Sequence, residues 1–450
     1  MSFFTKNKNI LFILISAILY FLFAYFLERT EFNKLLFLWF SLFACFYFLI
    51  KSKQISFSNL VGISILFRLI FLFANPNLSQ DFYRFIWDGR MILNGLNPYL
   101  SLPETFIQKG LQPITEASEL YNGMGEMNGS HYTNYPPINQ LCFLIAALFS
   151  SKSIFGATIV LRSIIILADI GILYFGKKLL EKLNLPIKNI FWYALNPFII
   201  IEMTGNLHFE PVMLFFLIWS FYKLHQQKWI WAAILLACSI SVKLIPLLFL
   251  PLFYQWFVNK KEPFFKRHYQ LIAFYLITLA TIIVLFLPFY SSEFIDNYAN
   301  SVGLWFRNFE FNASFYYIFR EIGYLFRGYN EIAIIGKITP IITILFLLAI
   351  TFFRKNKTEK QLITALLFGL CFYYFTATTV HPWYLATPLI LSIFTKYRFP
   401  LVWSLVIIFS YQAYSNTPWQ ENLWFVTLEY LILYTFLFLE LRKTSNIIKL

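Results

Sequence analysis

NLSQDFYRFIWDGRMILNGLNPY, residues 77–99, closes an apolar run with Asp81, Arg84, Asp88 and Arg90 and opens the longest polar interval of the chain, which reaches about residue 137. The contrast with its surroundings decides the fold. The 450 residues are 59% hydrophobic, 21% aromatic and only 13% charged, a balance that no water-soluble domain of this length carries on its surface. Runs at residues 9–27, 35–50 and 271–289 have, or nearly have, the roughly 20 apolar residues a helix needs to cross hydrocarbon. They are apolar on all sides, where a barrel strand would alternate, so the expected fold is an all-α, polytopic transmembrane helical bundle. Counting runs against basic clusters gives roughly 12 to 14 spans with both termini cytoplasmic. No repeat, heptad array or low-complexity linker interrupts the chain, so residues 1–450 read as a single membrane-embedded domain.

Charge orients the bundle. Lys6 and Lys8 precede the first run, Lys51 and Lys53 follow the second, and the run at residues 57–74 then delivers Asp81 to the outer face. The loop at residues 75–137 carries Asp81, Asp88, Glu104, Glu116, Glu119 and Glu126 against Arg84, Arg90 and Lys109, a depletion of cations that fits an outer location. A second outer loop is expected at residues 290–330, and the two together would form the active-site face. The run at residues 138–150 is short for a span and reads as a re-entrant or membrane-surface helix. Residues 229–257 suit two half-length helices meeting near Lys243 and Pro246. The net charge of +14 lies in short clusters between spans, which argues against a nucleic-acid partner. The cysteines Cys45, Cys142, Cys238 and Cys371 all sit in apolar runs, as packing residues do. Serine elbows and phosphate-cradling glycine loops are absent, which excludes ATP-driven transport of the usual kind.

Within the first loop, helical spacing puts Asp81, Arg84 and Asp88 on one face, the two carboxylates roughly 10 Å apart along the axis. That separation is too large for a shared proton and suits one acid doing chemistry while the other orients a hydroxyl or a cation. A solvated helix held by pairs among the same three residues is the plainer alternative. The opposite face offers Tyr83, Ile86 and Trp87, as a helix lying on the bilayer would require. Glu202, His208 and Glu210 end a later span, where ionisable groups are costly unless they serve a site or a partner. Their spacing matches no strong metal motif, leaving a divalent metal open. Lys243 in an apolar run, and Arg307 in the second loop, could each neutralise a lipid phosphate or simply snorkel to the interface. Asp169 is expected to pair with Arg162. His381, Trp383 and Tyr384 fit either an aromatic belt or a sugar-stacking platform.

In these pieces the chain resembles the polytopic GT-C type glycosyltransferases, in particular the bacterial mannosyltransferase-like proteins related to the first GPI mannosyltransferase. The matching segments are Asp81 with GRMILNGLNPY at residues 89–99, YPP at 135–137, LNPFIIIEMTGNLHFE at 195–210, SVKLIP at 241–246 and HPWY at 381–384. The resemblance implies inverting transfer of a mannose-like hexose from a polyprenyl-phosphate sugar to a glycan or lipid-linked acceptor, among membrane lipids and without nucleic acid. It implies Asp81 as the general base. It further implies substrate contacts from Arg84, Asp88, Arg90, Tyr99, Tyr135, Glu202, His208, Glu210, Lys243, Arg307, His381, Trp383 and Tyr384, with Lys243 and Arg307 toward the departing phosphate. The chain departs from the pattern at one point: many relatives carry two acids separated by one residue, whereas Phe82 and Tyr83 follow Asp81. A transporter or flippase for a lipid-linked glycan would use the same acids and lysine as a translocation path. The Phe-, Ile- and Lys-rich composition points to a bacterial inner membrane, with the active site facing outward.

Overall fold

The computed structural model describes residues 2–150, 152–258, 263–307 and 309–448. Every element of these residues is helical, apart from one isolated bridge between Phe311 and Thr379. Among the described residues, six helices are long and apolar enough to cross a membrane: Lys8–Phe26, Phe32–Lys51, Ile154–Lys182, His268–Phe289, Ile332–Phe353 and Leu423–Lys443. A seventh crossing results if Ile199–Gly205 and Glu210–His225, bent by 112° at their junction, count as one broken span. The protein is an all-α, multi-pass membrane protein. The other apolar runs fold as shorter helices, among them Phe57–Ile70, Pro137–Ser150 and Trp229–Ile240. Full-length crossings are therefore fewer than the apolar runs of the sequence.

The expected break in the 229–257 segment is present. Trp229–Ile240 ends at Ser241, and a tighter helix resumes at Ile245–Phe253 with Pro246 in its first turn. The break leaves Ser241 with a carbonyl that no helix satisfies, and the Ile138 N–H donates to it at 2.9 Å. This bond ties the Lys243 break to the start of the Pro137–Ser150 helix.

Asp81–Leu93 is the helix that residues 77–99 promised. It ends through Asn94 and Gly95, the latter at φ 74°, with Gly95 N–H donating to Ile92 O and Leu96 N–H to Met91 O, both at 2.9 Å. Its apolar face is not open to lipid. Ile86 and Trp87 are each only 2% exposed, because Pro137–Ser150, Ala117–Gly129 and Pro103–Gln108 cover the helix, with Trp87 6.4 Å from Phe106. Gly89 is where it crosses Pro137–Ser150: a Cβ there would sit 2.2 Å from the Phe143 carbonyl oxygen. Gly89→Ala must push two backbones apart, at a cost of about 1–3 kcal/mol. Its melting temperature in detergent should fall well below that of Gly62→Ala, where a Cβ meets nothing within 4 Å. Equal melting temperatures for the two variants would refute the close crossing.

The buried charges sort themselves differently from the expectation for Asp169. Its carboxylate takes Arg68, with Nε 2.8 Å away, and the Tyr193 hydroxyl at 3.1 Å. Arg162 instead donates to three carbonyls, Leu72 and Thr204 at 2.9 Å and Gly205 at 3.1 Å. The reason is the wide, π-type turn of Ile199–Gly205, whose terminal carbonyls lack helical partners and need a fully buried donor. Arg162 thereby joins the arm that leads to Asp81 to the arm that carries Glu202 and His208.

Candidate active site

A cavity of about 590 Å³ opens where the polar turns of the chain meet. Asp81, Arg84 and Phe85 line it from the first loop, Asn128 and His131 to Pro136 from the turn before Pro137, and His208 with Phe209 from the bent pair. Lys243, Leu244 and Ile245 enter from the helix break, Ser301, Val302 and Phe309 from the second loop, and His381, Trp383 and Tyr384 from the HPWY turn. The two loops that follow residues 75 and 289 are also bonded to each other. Ser301 Oγ donates to Tyr132 O at 2.6 Å, Asn297 Nδ2 to Tyr99 O at 3.1 Å, and Asn97 Nδ2 to Phe289 O at 3.0 Å.

Asp81 stands at the N-terminus of its helix, half-buried at the cavity wall, where the unpaired N–H groups of the first turn favour a carboxylate. The Asn128 amide reaches its Oδ1 at 3.5 Å. Loss of water raises its carboxyl above the ordinary carboxylate range, while Lys243, Asn128 and Arg29 pull the other way. It does not pair with Arg84. Arg84 Nε binds Asp88 Oδ1 at 2.8 Å, one turn along, and Arg84 Nη1 donates to Asn128 O at 2.6 Å and His131 O at 2.9 Å. Asp88, fully buried, also accepts from Gln140 Nε2 at 3.0 Å and does not reach the cavity. The pair thus fixes the 128–131 turn and sets Asn128 beside Asp81.

Glu210 and Lys243 form an ion pair, with Lys243 facing the cavity and the Glu210 carboxylate 2% exposed behind it. Glu202 lies deeper, accepting from the Tyr411 hydroxyl at 2.6 Å, with its second oxygen 3.8 Å from His208 Nε2. His208 stacks on Trp383 with centroids 4.0 Å apart, and Trp383 on His381 at 4.5 Å. Burial, helped by the nearby Lys243 charge, pushes the His381 imidazole down to about 3, so it is neutral at ordinary pH. The result is a rigid, uncharged aromatic wall, with Tyr384 set perpendicular to His381 and Trp383.

Of the residues singled out in the sequence, Asp81, Arg84, Tyr135, His208, Lys243, His381, Trp383 and Tyr384 come together around this cavity. Asp88, Arg90, Tyr99, Glu202 and Glu210 stand behind it. Arg90 is bound to Glu116 at 2.8 Å, and the Tyr99 hydroxyl donates to Tyr135 O at 2.5 Å. The Arg307 side chain lies outside the described residues. Sequence reasoning missed Arg29, Asn128, Tyr414 and Trp419, which also line the cavity. Arg29 carried a signal: it is a cation in a turn that the charge pattern places outside, against the usual bias. Among the described residues, no three of His, Cys, Asp and Glu converge to hold a metal ion.

No curated protein matches the chain. A family profile does, over residues 24–259, just over half of the sequence and including Asp81, the YPP turn, the bent pair and Lys243. That profile describes the N-terminal domain of alpha-(1->6)-mannopyranosyltransferases, and the chain belongs to this family of glycosyltransferases.

Proposed function

We propose that the protein transfers mannose, with inversion, from a polyprenyl-phosphate sugar to a glycan or lipid-linked acceptor at the outer face of a bacterial inner membrane. The family supplies the mannosyl group and the likeness to alpha-(1->6) transfer. The observation that carries the rest is Asp81, the one cavity-lining carboxylate among the described residues, left without an ion pair and set between Asn128 and the Lys243 side. In this reading the acceptor hydroxyl donates to Asp81 as its oxygen attacks the anomeric carbon. The bond from that carbon to the phosphate oxygen breaks on the opposite side, the proton passes to Asp81, and the lipid phosphate departs. Lys243, held by Glu210, favours the ionised form of Asp81 against the loss of water, and Arg307 is the candidate to present positive charge toward the phosphate from the second loop. Residues 1–450 act as one unit, the two outer loops closing over the site.

The test is donor class. Purified protein in detergent should transfer mannose from a polyprenyl-phosphate mannose and not from a nucleotide sugar. Transfer from the nucleotide sugar alone would end the reading. The base also leaves a pH signature. Asp81 works deprotonated, so kcat should fall as pH drops through its raised value, above the usual carboxylate range near 4. Asn128→Ala removes a hydrogen bond that lowers this value, and its acid limb should move to higher pH. An unmoved limb would mean that another group titrates.

A further inference from the structure

Three basic side chains, Arg29, Arg84 and Lys243, line the cavity among the described residues, histidines aside. Two are already neutralised, Arg84 by Asp88 at 2.8 Å and Lys243 by Glu210. Arg29 makes no ion pair among the described residues. Its guanidinium carbon lies 4.3 Å over the centre of the Tyr414 ring, and its single protein hydrogen bond runs from Nη1 to Leu78 O at 3.3 Å. A guanidinium has five N–H donors in a planar fork. The cation–π contact with Tyr414 holds the group without using its N–H donors, which leaves them for the cavity. A half-buried cation at the end of a membrane span is costly to keep without a counter-charge, and the described residues supply none in contact.

We propose that Arg29 is the anion-recognition residue of the cavity, gripping a phosphate group of a substrate by a bidentate contact. The proposal rests on the Asp81 cavity being the transfer site. Arg29 follows the Lys8–Phe26 helix in the turn before Phe32–Lys51, the level at which a lipid phosphate meets water. The phosphate belongs either to the lipid-linked donor or to a lipid-linked acceptor; both bring the same oxygens to the same fork. Charge bookkeeping favours Arg29 over Lys243 for this task, because the Glu210 carboxylate already cancels the lysine.

The experiment uses purified full-length Arg29→Gln and Arg29→Lys in detergent. It reads KM for polyprenyl-phosphate mannose, KM for the acceptor, and inhibition by free polyprenyl phosphate, with the melting temperature beside them. For Arg29→Gln one of these constants should rise about tenfold to a hundredfold with a smaller change in kcat, and Arg29→Lys should rise less. A rise in donor KM and in the polyprenyl phosphate inhibition constant assigns the contact to the donor. A rise confined to acceptor KM assigns it to the acceptor. If Arg29→Gln fails to fold, Arg29→Lys decides, since a point-like ammonium loses the bidentate grip while keeping the charge. All constants within twofold of wild type would overturn the proposal and leave the transfer reading standing. A wild-type protein that does not use polyprenyl-phosphate mannose would defeat the transfer reading itself.

Discussion

Asp81→Asn should lower kcat for mannosyl transfer by about 10²- to 10⁴-fold while the protein folds and binds its donor as before. Asparagine keeps the shape of the side chain and an oxygen for the Asn128 amide, which reaches Asp81 Oδ1 at 3.5 Å, so the local hydrogen bonding survives. What it lacks is the ability to take a proton from the attacking hydroxyl. The expected pattern is therefore a fall in kcat and kcat/KM together, with donor KM little changed, as for an interaction made only in the transition state. The neighbouring acid should not rescue it, because Asp88 is fully buried and engaged by Arg84 and Gln140. Transfer within threefold of wild type would place the base elsewhere.

The second large effect concerns the pair behind the cavity wall. Lys243→Met leaves the Glu210 carboxylate, 2% exposed, without its partner, and breaking a buried pair from one side costs about 3–5 kcal/mol. Lys243→Met combined with Glu210→Gln removes both charges and should recover most of that loss. Thermal unfolding in detergent measures both, and the double variant should melt above the single one. If the two substitutions lower stability additively, the lysine and glutamate are not coupled and the geometry of the break has been misread. In either case transfer should stay impaired, since the charge beside Asp81 is gone.

The sequence showed a good deal of this site because its signals were local. The Asp81 helix is marked by its termination at Asn94 and Gly95, and the break at Lys243 by a segment too long for one crossing and too short for two. The family resemblance assigned His208, Lys243 and the HPWY turn to one site, and all of them line the cavity. What the sequence could not show was which element each polar group would meet. Helical spacing offers Arg84 both Asp81 and Asp88, and only the 128–131 turn, which takes the other edge of the guanidinium, settles it on Asp88. Arg162 looked like a partner for Asp169 on the same helix, yet the π-type turn at Ile199–Gly205 creates carbonyls with a stronger claim. Arg29 is remote in sequence from every other cavity residue and becomes part of the site only through Leu78 and Tyr414. The bilayer-facing reading of the Asp81 helix failed for a similar cause: amphipathic spacing marks an apolar face, and the Ala117–Gly129 and Pro137–Ser150 helices covered it in place of lipid.

In the proposed reaction a new glycosidic bond is made in the Asp81 cavity. The most direct measurement reconstitutes the purified protein in liposomes with polyprenyl-phosphate mannose and acceptor, and follows both the mannose and the lipid. The wild type should yield a mannosylated acceptor and released polyprenyl phosphate in equal amounts, and Asp81→Asn neither. Movement of the intact sugar lipid across the bilayer, blocked by Asp81→Asn and accompanied by no new bond, would contradict it and make the same cavity a translocation path.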